Sequence, residues 1–364
     1  MTDTTTFHSR DPRCKTPYGA VRAGTPVQLT LRPARAEGFS HAKLTARLEH
    51  REDEILTLDM PWSGLDGDRD LFSCTLDTGD YVGLVWYSFV LTGLDGRKKE
   101  LGEYQLTVYD AREKISPWFG RGVTYQIFPD RFHRSRLRDP EGMVGGRWVH
   151  ENWEDRPEYR PNEQGEIRNR DFFGGDLAGV VEKLDYLKEL GVDTLYFNPI
   201  FEAAENHRYG TADYDKIDPL LGTMEDFTTL CEQAHERGMR VMLDGVFNHT
   251  GYVSRYFNAD GFYPDEGACQ SQDSPYYPWF NFKHWPDKYE SWWDIYSLPA
   301  VNEHCPSYRE FIFGGENSVV RRWLRAGADG WRLDVADELP DDFVAGIHAA
   351  ARAEKPSALL IGEV

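Results

Sequence analysis

Gly330-Trp-Arg-Leu-Asp-Val-Ala336 is the stretch that decides the fold. It is an apolar segment of strand length carrying Arg332 and Asp334, which are two residues apart and so project from one face of a strand. A helical pattern at 319–325 precedes it, and a second one at 341–353 follows and ends before Pro356. The apolar run 358–364 then completes a strand-helix-strand unit, the connection that parallel strands require.

The same grammar extends back to residue 117. Gly122-Val-Thr-Tyr-Gln-Ile-Phe128 reads as a buried strand, and Asp176 as the N-cap of a helix over 177–190 that Gly191 stops. A strand at 192–197, a helix at 225–237 stopped by Gly238 and a strand at 239–247 come next, followed by an irregular stretch to about 306. Repeated β-α alternation predicts a parallel sheet with helical crossovers. Residues 1–112 differ. Period-two alternation at 26–32, 42–49 and 81–92, with turns at Gly64-Leu-Asp-Gly-Asp68 and Gly93-Leu-Asp-Gly96, predicts an antiparallel β-sandwich. Asp66-Gly-Asp-Arg-Asp70 reads as a solvated hairpin turn, because no glutamate follows at calcium-loop spacing; Trp62 and Trp86 read as core fillers.

Composition narrows the partners. The 364 residues carry 41 Lys+Arg against 61 Asp+Glu, a formal charge of −20, which disfavours nucleic acid and anionic membrane. No apolar run approaches a membrane span, and the first residues lack the basic start and apolar run of a signal peptide. The five cysteines form no CxxC pair and suit a reducing compartment, so the cytoplasm is the expected location. A nucleotide-binding reading fails, since no phosphate-binding glycine loop follows a strand.

Three acids stand near the C-terminal ends of apolar strands: Asp244 in Leu243-Asp-Gly-Val-Phe-Asn-His249, Asp334, and Glu363 in Leu360-Ile-Gly-Glu-Val364. Parallel βα folds meet their ligands at those ends. Asp334 and Glu363 are one strand-helix-strand unit apart and should top adjacent strands. Arg332 is placed to orient Asp334 and hold it ionised. One ionised and one protonated carboxyl are what retaining glycoside hydrolysis needs. His249 and Asn248 could offer hydrogen bonds to sugar hydroxyls.

These residues resemble the α-amylase family, glycoside hydrolase family 13. Asp244-Gly-Val-Phe-Asn-His249, Gly330-Trp-Arg-Leu-Asp334 and Gly362-Glu363-Val364 are similar to the first three of its four signature regions, in order. Leu298-Pro-Ala-Val-Asn302, Asp171-Phe-Phe-Gly-Gly-Asp-Leu177 and Asn206-His-Arg-Tyr-Gly-Thr-Ala-Asp-Tyr214 look like its neopullulanase, cyclomaltodextrinase and maltogenic amylase branch. The resemblance implies a (β/α)8 TIM-barrel catalytic domain over 113–364, with only strands 1–5 in this chain. It also implies a small insertion after barrel strand 3, about 250–306, and a starch-binding-like all-β sandwich at 1–112. The implied activity is retaining hydrolysis of α-1,4 bonds, with α-1,6 as a second linkage, in maltooligosaccharides, cyclodextrins or pullulan. Asp334 then matches the nucleophile and Glu363 the general acid/base. Arg332 matches the orienting arginine, Tyr209 the aromatic under the sugar, and Asp244 and His249 the hydroxyl-binding partners. No cofactor is required. Asn248 matches a calcium ligand of many amylases, although this branch often lacks that structural calcium or holds it elsewhere. Relatives with this N-terminal domain often form a homodimer through it.

The fourth signature region, which supplies the third catalytic aspartate, is missing, and the chain stops one residue after Glu363. The sequence is therefore expected to be a truncated form of a longer enzyme, weakly active or inactive alone. The alternative is a non-catalytic carbohydrate-binding or partner-completed half-barrel.

Overall fold

The computed structural model describes residues 6–49, 51–110, 112, 115–163, 165 and 167–364. The chain divides into two compact units, Met1–Lys114 and Ile115–Val364.

The first unit is built from two sheets. One runs in the order Lys15–Thr16, Val27–Leu31, Arg69–Leu76, Trp62–Asp66; the other in the order Val21–Arg22, Lys98–Tyr109, Gly83–Gly93, Phe39–Leu48, Arg51–Met60. Alternation dictates their faces. Every second residue of Gly83–Gly93 from Val85 to Leu91 is buried, and these residues share one core with Val27, Leu29 and Leu31 of the other sheet. Phe7 seals that core, 4.7 Å from the Phe89 ring and 4.8 Å from Tyr104. Gly67 and Asp68 turn the Trp62–Asp66 strand into its neighbour, so the acidic stretch there is a hairpin. Trp62 corrects one expectation: it is 54% exposed, its indole N–H donating to Asp70, and Trp86 is only half-buried. On this antiparallel pair one face meets solvent, and Trp62 falls on that face.

In the second unit five strands pair in parallel and in chain order: β1 (Val123–Ile127), β2 (Val192–Phe197), β3 (Arg240–Gly245), β4 (Gly330–Leu333) and β5 (Leu359–Gly362). A doubly wound sheet would reverse its order at a switch point; an unreversed sequence is that of consecutive barrel strands. The longer helices between them are α1 (Leu177–Glu182), α2 (Leu184–Glu189), α3 (Met224–Glu236), α4 (Val319–Arg325) and α5 (Asp341–Glu354), and two short helical segments, Pro306–Arg309 and Glu310–Gly314, precede α4. The single helix expected at 177–190 is broken at Lys183, yet Leu177, Val180, Leu184 and Leu187 continue one buried stripe across the break. Asp176 caps α1 by accepting from the Gly179 N–H, and Thr223 with Asp226 forms a capping box on α3.

A hairpin follows β2, pairing Phe201–Ala203 with Thr211–Ile217. The stretch from 250 to 306 has little regular structure. Its Trp279, Phe280 and Tyr289 are buried in the cluster that also holds the barrel strands. Trp285 and Trp292 are half-buried, and Trp293 is 75% exposed. No helix among the described residues is long and apolar enough to cross a membrane.

The start of β4 is pinned by a buried acid. Asp329 accepts from the Val241 N–H at 2.9 Å, Lys355 at 2.7 Å, Arg240 at 3.3 Å and His235 at 2.6 Å. Burial alone would raise this carboxyl, but the bonds from His235, Lys355 and Val241 outweigh it and leave it below the ordinary range. A depressed acid contributes stability above its unfolded pKa and loses it as pH falls. Asp329→Ala is therefore expected to cost about 3 kcal/mol at pH 7 in urea unfolding, with the difference shrinking under acid conditions. An unchanged midpoint at pH 7 would contradict this.

Candidate active site

Strand register brings the strand-end residues together. Asp244 of β3 pairs in register with Arg332 of β4, and Leu333 pairs with Gly362 of β5, placing Glu363 beside Asp334. The Arg332 guanidinium fills the gap among them. Its Nη1 donates to both oxygens of Asp244, at 2.9 and 3.0 Å, and to Asp334 Oδ1 at 2.9 Å. Its Nη2 lies 2.5 Å from Glu363 Oε2. One cation thus holds three carboxylates from three successive strands.

The remaining strands brace this cluster. Tyr196 of β2 donates to Asp244 Oδ2 at 2.5 Å, and Tyr209 donates to the same oxygen at 3.1 Å. Asn198 donates to the Tyr209 hydroxyl at 3.3 Å and accepts from Gln126 of β1 at 2.9 Å. After Asp334 the backbone turns through Val335 at φ 42°, ψ 49°, a left-handed conformation costly for a β-branched residue. That turn lets the Val335 N–H donate to Glu363 Oε2 at 3.2 Å and the Ala336 N–H to the Glu363 carbonyl at 3.0 Å. Local strain is exchanged for a fixed Asp334–Glu363 juxtaposition.

Electrostatics departs from the sequence expectation at Asp334. The guanidinium does favour its charged form, but burial and the charges of Asp244 and Glu363 prevail and push it up to about 7. Burial likewise pushes Asp244 up to about 6 against the pull of Arg332. One positive charge cannot neutralise three negative ones in a largely desolvated site. The histidines go the other way: burial takes His207 and His249 down to about 4, so both are neutral near pH 7. His207 Nδ1 accepts from the Tyr209 N–H at 3.1 Å, which leaves the proton on Nε2. His249 stacks on Trp292 at 5.4 Å, and its buried Nε2 has no hydrogen-bond partner.

Asn248, the sequence candidate for a metal, contacts His249 Nδ1 through Oδ1 at 3.3 Å and donates to Glu303 Oε1 at 3.4 Å. These contacts put two side-chain oxygens together, and no group of three acid, His or Cys side chains among the described residues could share an ion. No step below runs through a metal.

Asp244 lies buried behind Asp334, Glu363, Arg332, His207, Tyr209 and His249, which with Trp292 line an open cleft of about 1270 Å3. This exceeds the ~300–1,000 Å3 of pockets for compact drug-sized ligands and suits an extended one. Sequence reasoning missed Tyr196 and the Gln126–Asn198 relay, since a polar residue inside a strand carries no signal without its cross-strand partner. It also missed the support of the Tyr209 loop. Arg147 donates to Asp218 Oδ1 at 2.9 Å, Arg208 Nε lies 3.3 Å from Asp218 Oδ2, and all three side chains are fully buried. The two guanidinium groups also lie over the Phe172 ring, at 5.2 and 5.3 Å. Arg208, at φ 63°, sits between His207 and Tyr209 and anchors both.

Comparison with known proteins comes to the same region. A family model described as the alpha amylase catalytic domain matches residues 126–359. An amylopullulanase of Thermoanaerobacterium saccharolyticum is 36% identical over 98% of this chain and 31% of its own length. Neopullulanase 2 of Thermoactinomyces vulgaris is 33% identical over 86% of this chain and 52% of its own. Among solved structures, the cyclic α-maltosyl-(1→6)-maltose hydrolase of Arthrobacter globiformis, in complex with cyclic α-maltosyl-(1→6)-maltose, aligns with a TM-score of 0.58 at 33% identity. It covers 69% of this chain and 52% of its own. The chain spans about a third to a half of the length of these two curated relatives.

Asp218 is raised by burial, but the two arginines outweigh that and leave it below the ordinary carboxylate range. Its contribution to stability is therefore present at neutral pH and lost on acidification. Asp218→Asn strands two buried cations and should cost ~3–5 kcal/mol at pH 7 by denaturant titration. A change below ~1 kcal/mol would show that the two arginines are compensated elsewhere.

Proposed function

The chain belongs to the α-amylase family, and we propose that it forms the sugar-cleaving part of a retaining glycoside hydrolase acting on α-glucans. The observation that carries this reading is the pair of carboxylates, Asp334 and Glu363, set on the two terminal nitrogens of one guanidinium at the wall of an open cleft. Asp334 attacks the anomeric carbon while Glu363, having exchanged its ion pair with Arg332 for a proton, gives that proton to the departing oxygen. The glycosidic C–O bond breaks and an ester to Asp334 forms. Water then attacks the same carbon, Glu363 takes the water's proton, and Asp334 leaves with the configuration retained. The neutral His249, its Nδ1 proton on Asn248 Oδ1, offers the unpaired Nε2 as an acceptor for a sugar hydroxyl, and Tyr209 supplies a face braced through its hydroxyl on the buried Asp244.

Relatives named for pullulan and for a cyclic maltosyl saccharide support short, cyclic or branched α-glucans with α-1,4 and α-1,6 bonds as substrates. The five free thiols, three of them buried, support the cytoplasm as the working compartment. A binding role without turnover is the second reading. Glu363 favours it, being 48% exposed and paired to Arg332 where a general acid would carry a proton.

The test is kinetic. On maltooligosaccharides, Asp334→Asn in the complete enzyme should lower turnover by several orders of magnitude with modest change in binding; near-normal turnover would sink the assignment. Release of no reducing ends by any form of the protein, the complete enzyme included, with glucan still bound, would establish the binding reading instead.

The pH profile gives an independent check. Attack needs ionised Asp334, whose pKa is raised to about 7, so kcat/KM should fall as pH drops through about 7. Asp244→Asn removes one of the charges raising it, and the acid limb should move to lower pH on a reduced plateau. A limb that stays in place would show that Asp244 does not set it.

A further inference from the structure

Glu205 stands in the wall of the same cleft, on the loop of the Phe201–Ala203/Thr211–Ile217 hairpin and four residues before Tyr209. Its Oε2 is shielded from solvent and has no hydrogen-bond partner. The space it occupies exists because residue 210 is glycine. A Cβ on Gly210 would lie 2.6 Å from that oxygen, and its three nearest neighbours would all be Glu205 carboxyl atoms. Burial pushes this carboxyl up to about 7, against the pull of Arg170 and Arg147. Both arginines are engaged elsewhere: Arg147 with Asp218 and the Val144 carbonyl, Arg170 with the Tyr252 hydroxyl.

A carboxyl oxygen withdrawn from water and left unpaired is unfavourable, and native structures seldom keep one without a use. The mechanism above makes no use of it. The ligand of the cleft, on the α-glucan reading, is a chain of hydroxyl donors, and the flexible glutamate stem can turn its carboxyl towards one.

We propose that Glu205 is a substrate-binding residue, accepting a hydroxyl of the bound α-glucan beside the Tyr209 platform, and that Gly210 keeps the space in which it does so. This rests on the α-glucan reading. Gly210 has an ordinary backbone conformation, so an alanine there strains only the far end of the Glu205 side chain. The atoms such a Cβ would press on are those of the Glu205 carboxyl, which must shift.

The experiment is calorimetric titration of maltoheptaose into the full-length protein carrying Asp334→Asn, so that nothing turns over, with thermal melting alongside. Glu205→Ala should weaken Kd roughly tenfold. Glu205→Gln, which keeps an acceptor oxygen, should recover most of that. Gly210→Ala should weaken binding in the same direction, and Tm should stay close to the parent's in all three. Unchanged affinity in Glu205→Ala overturns the proposal. Equal losses for Ala and Gln that follow a drop in Tm also overturn it, as the mark of a carboxyl that only fills space. A parent that binds no maltoheptaose would overturn the α-glucan reading itself, and this assignment with it.

Discussion

The Arg332 guanidinium is the interaction on which the site depends. It bonds Asp244, Asp334 and Glu363, which come from three neighbouring strands and would otherwise repel one another in a mostly desolvated place. Removing a cation from such a cluster leaves buried charge unopposed, at a typical cost of ~3–5 kcal/mol. The register of β3, β4 and β5 puts the acids within its reach, and the left-handed turn at Val335 folds Glu363 back towards it. The same arrangement makes the site chemically useful. One positive charge among three carboxylates leaves Asp334 titrating near neutrality instead of in the ordinary acid range.

Stability and chemistry occupy opposite ends of the parallel strands. At the N-terminal end of β4, Asp329 is fully satisfied by a backbone N–H and three basic side chains. At the C-terminal ends, polar atoms are left over: the His249 Nε2 and the Glu205 Oε2 are both buried and unpaired. An unsatisfied group is a defect in a scaffold and an asset in a site that receives a polyhydroxyl ligand. The Tyr209 loop between these two groups is held by a fully buried Arg147–Asp218–Arg208 cluster.

Much of this was legible before any coordinates. Period-two alternation located the Val27–Leu31, Phe39–Leu48 and Gly83–Gly93 strands, and the caps at Asp176 and Gly191 framed the first crossover. The strand-end acids stood out because a charge on an apolar strand needs a partner, and the partner proved to be shared. Three things were not legible. Trp62 looked like core, but alternation does not reveal which face of an edge strand is covered. The break at Lys183 falls within an unbroken apolar stripe and leaves no compositional trace. The net effect of Arg332 on Asp334 turned on two neighbouring acids whose distances only the fold supplies, and Glu205 gained meaning only from the missing side chain at Gly210.

The central claim is that Asp334 bonds covalently to the sugar while held by Arg332. The most direct measurement is mass spectrometry of the protein after brief exposure to a fluorinated α-glucosyl fluoride, whose glycosyl-enzyme breaks down slowly. The account predicts one added glycosyl group, on the peptide containing Asp334, and none in Asp334→Asn. A label on another residue, or active protein that turns the sugar over with inversion and never carries a label, would contradict it.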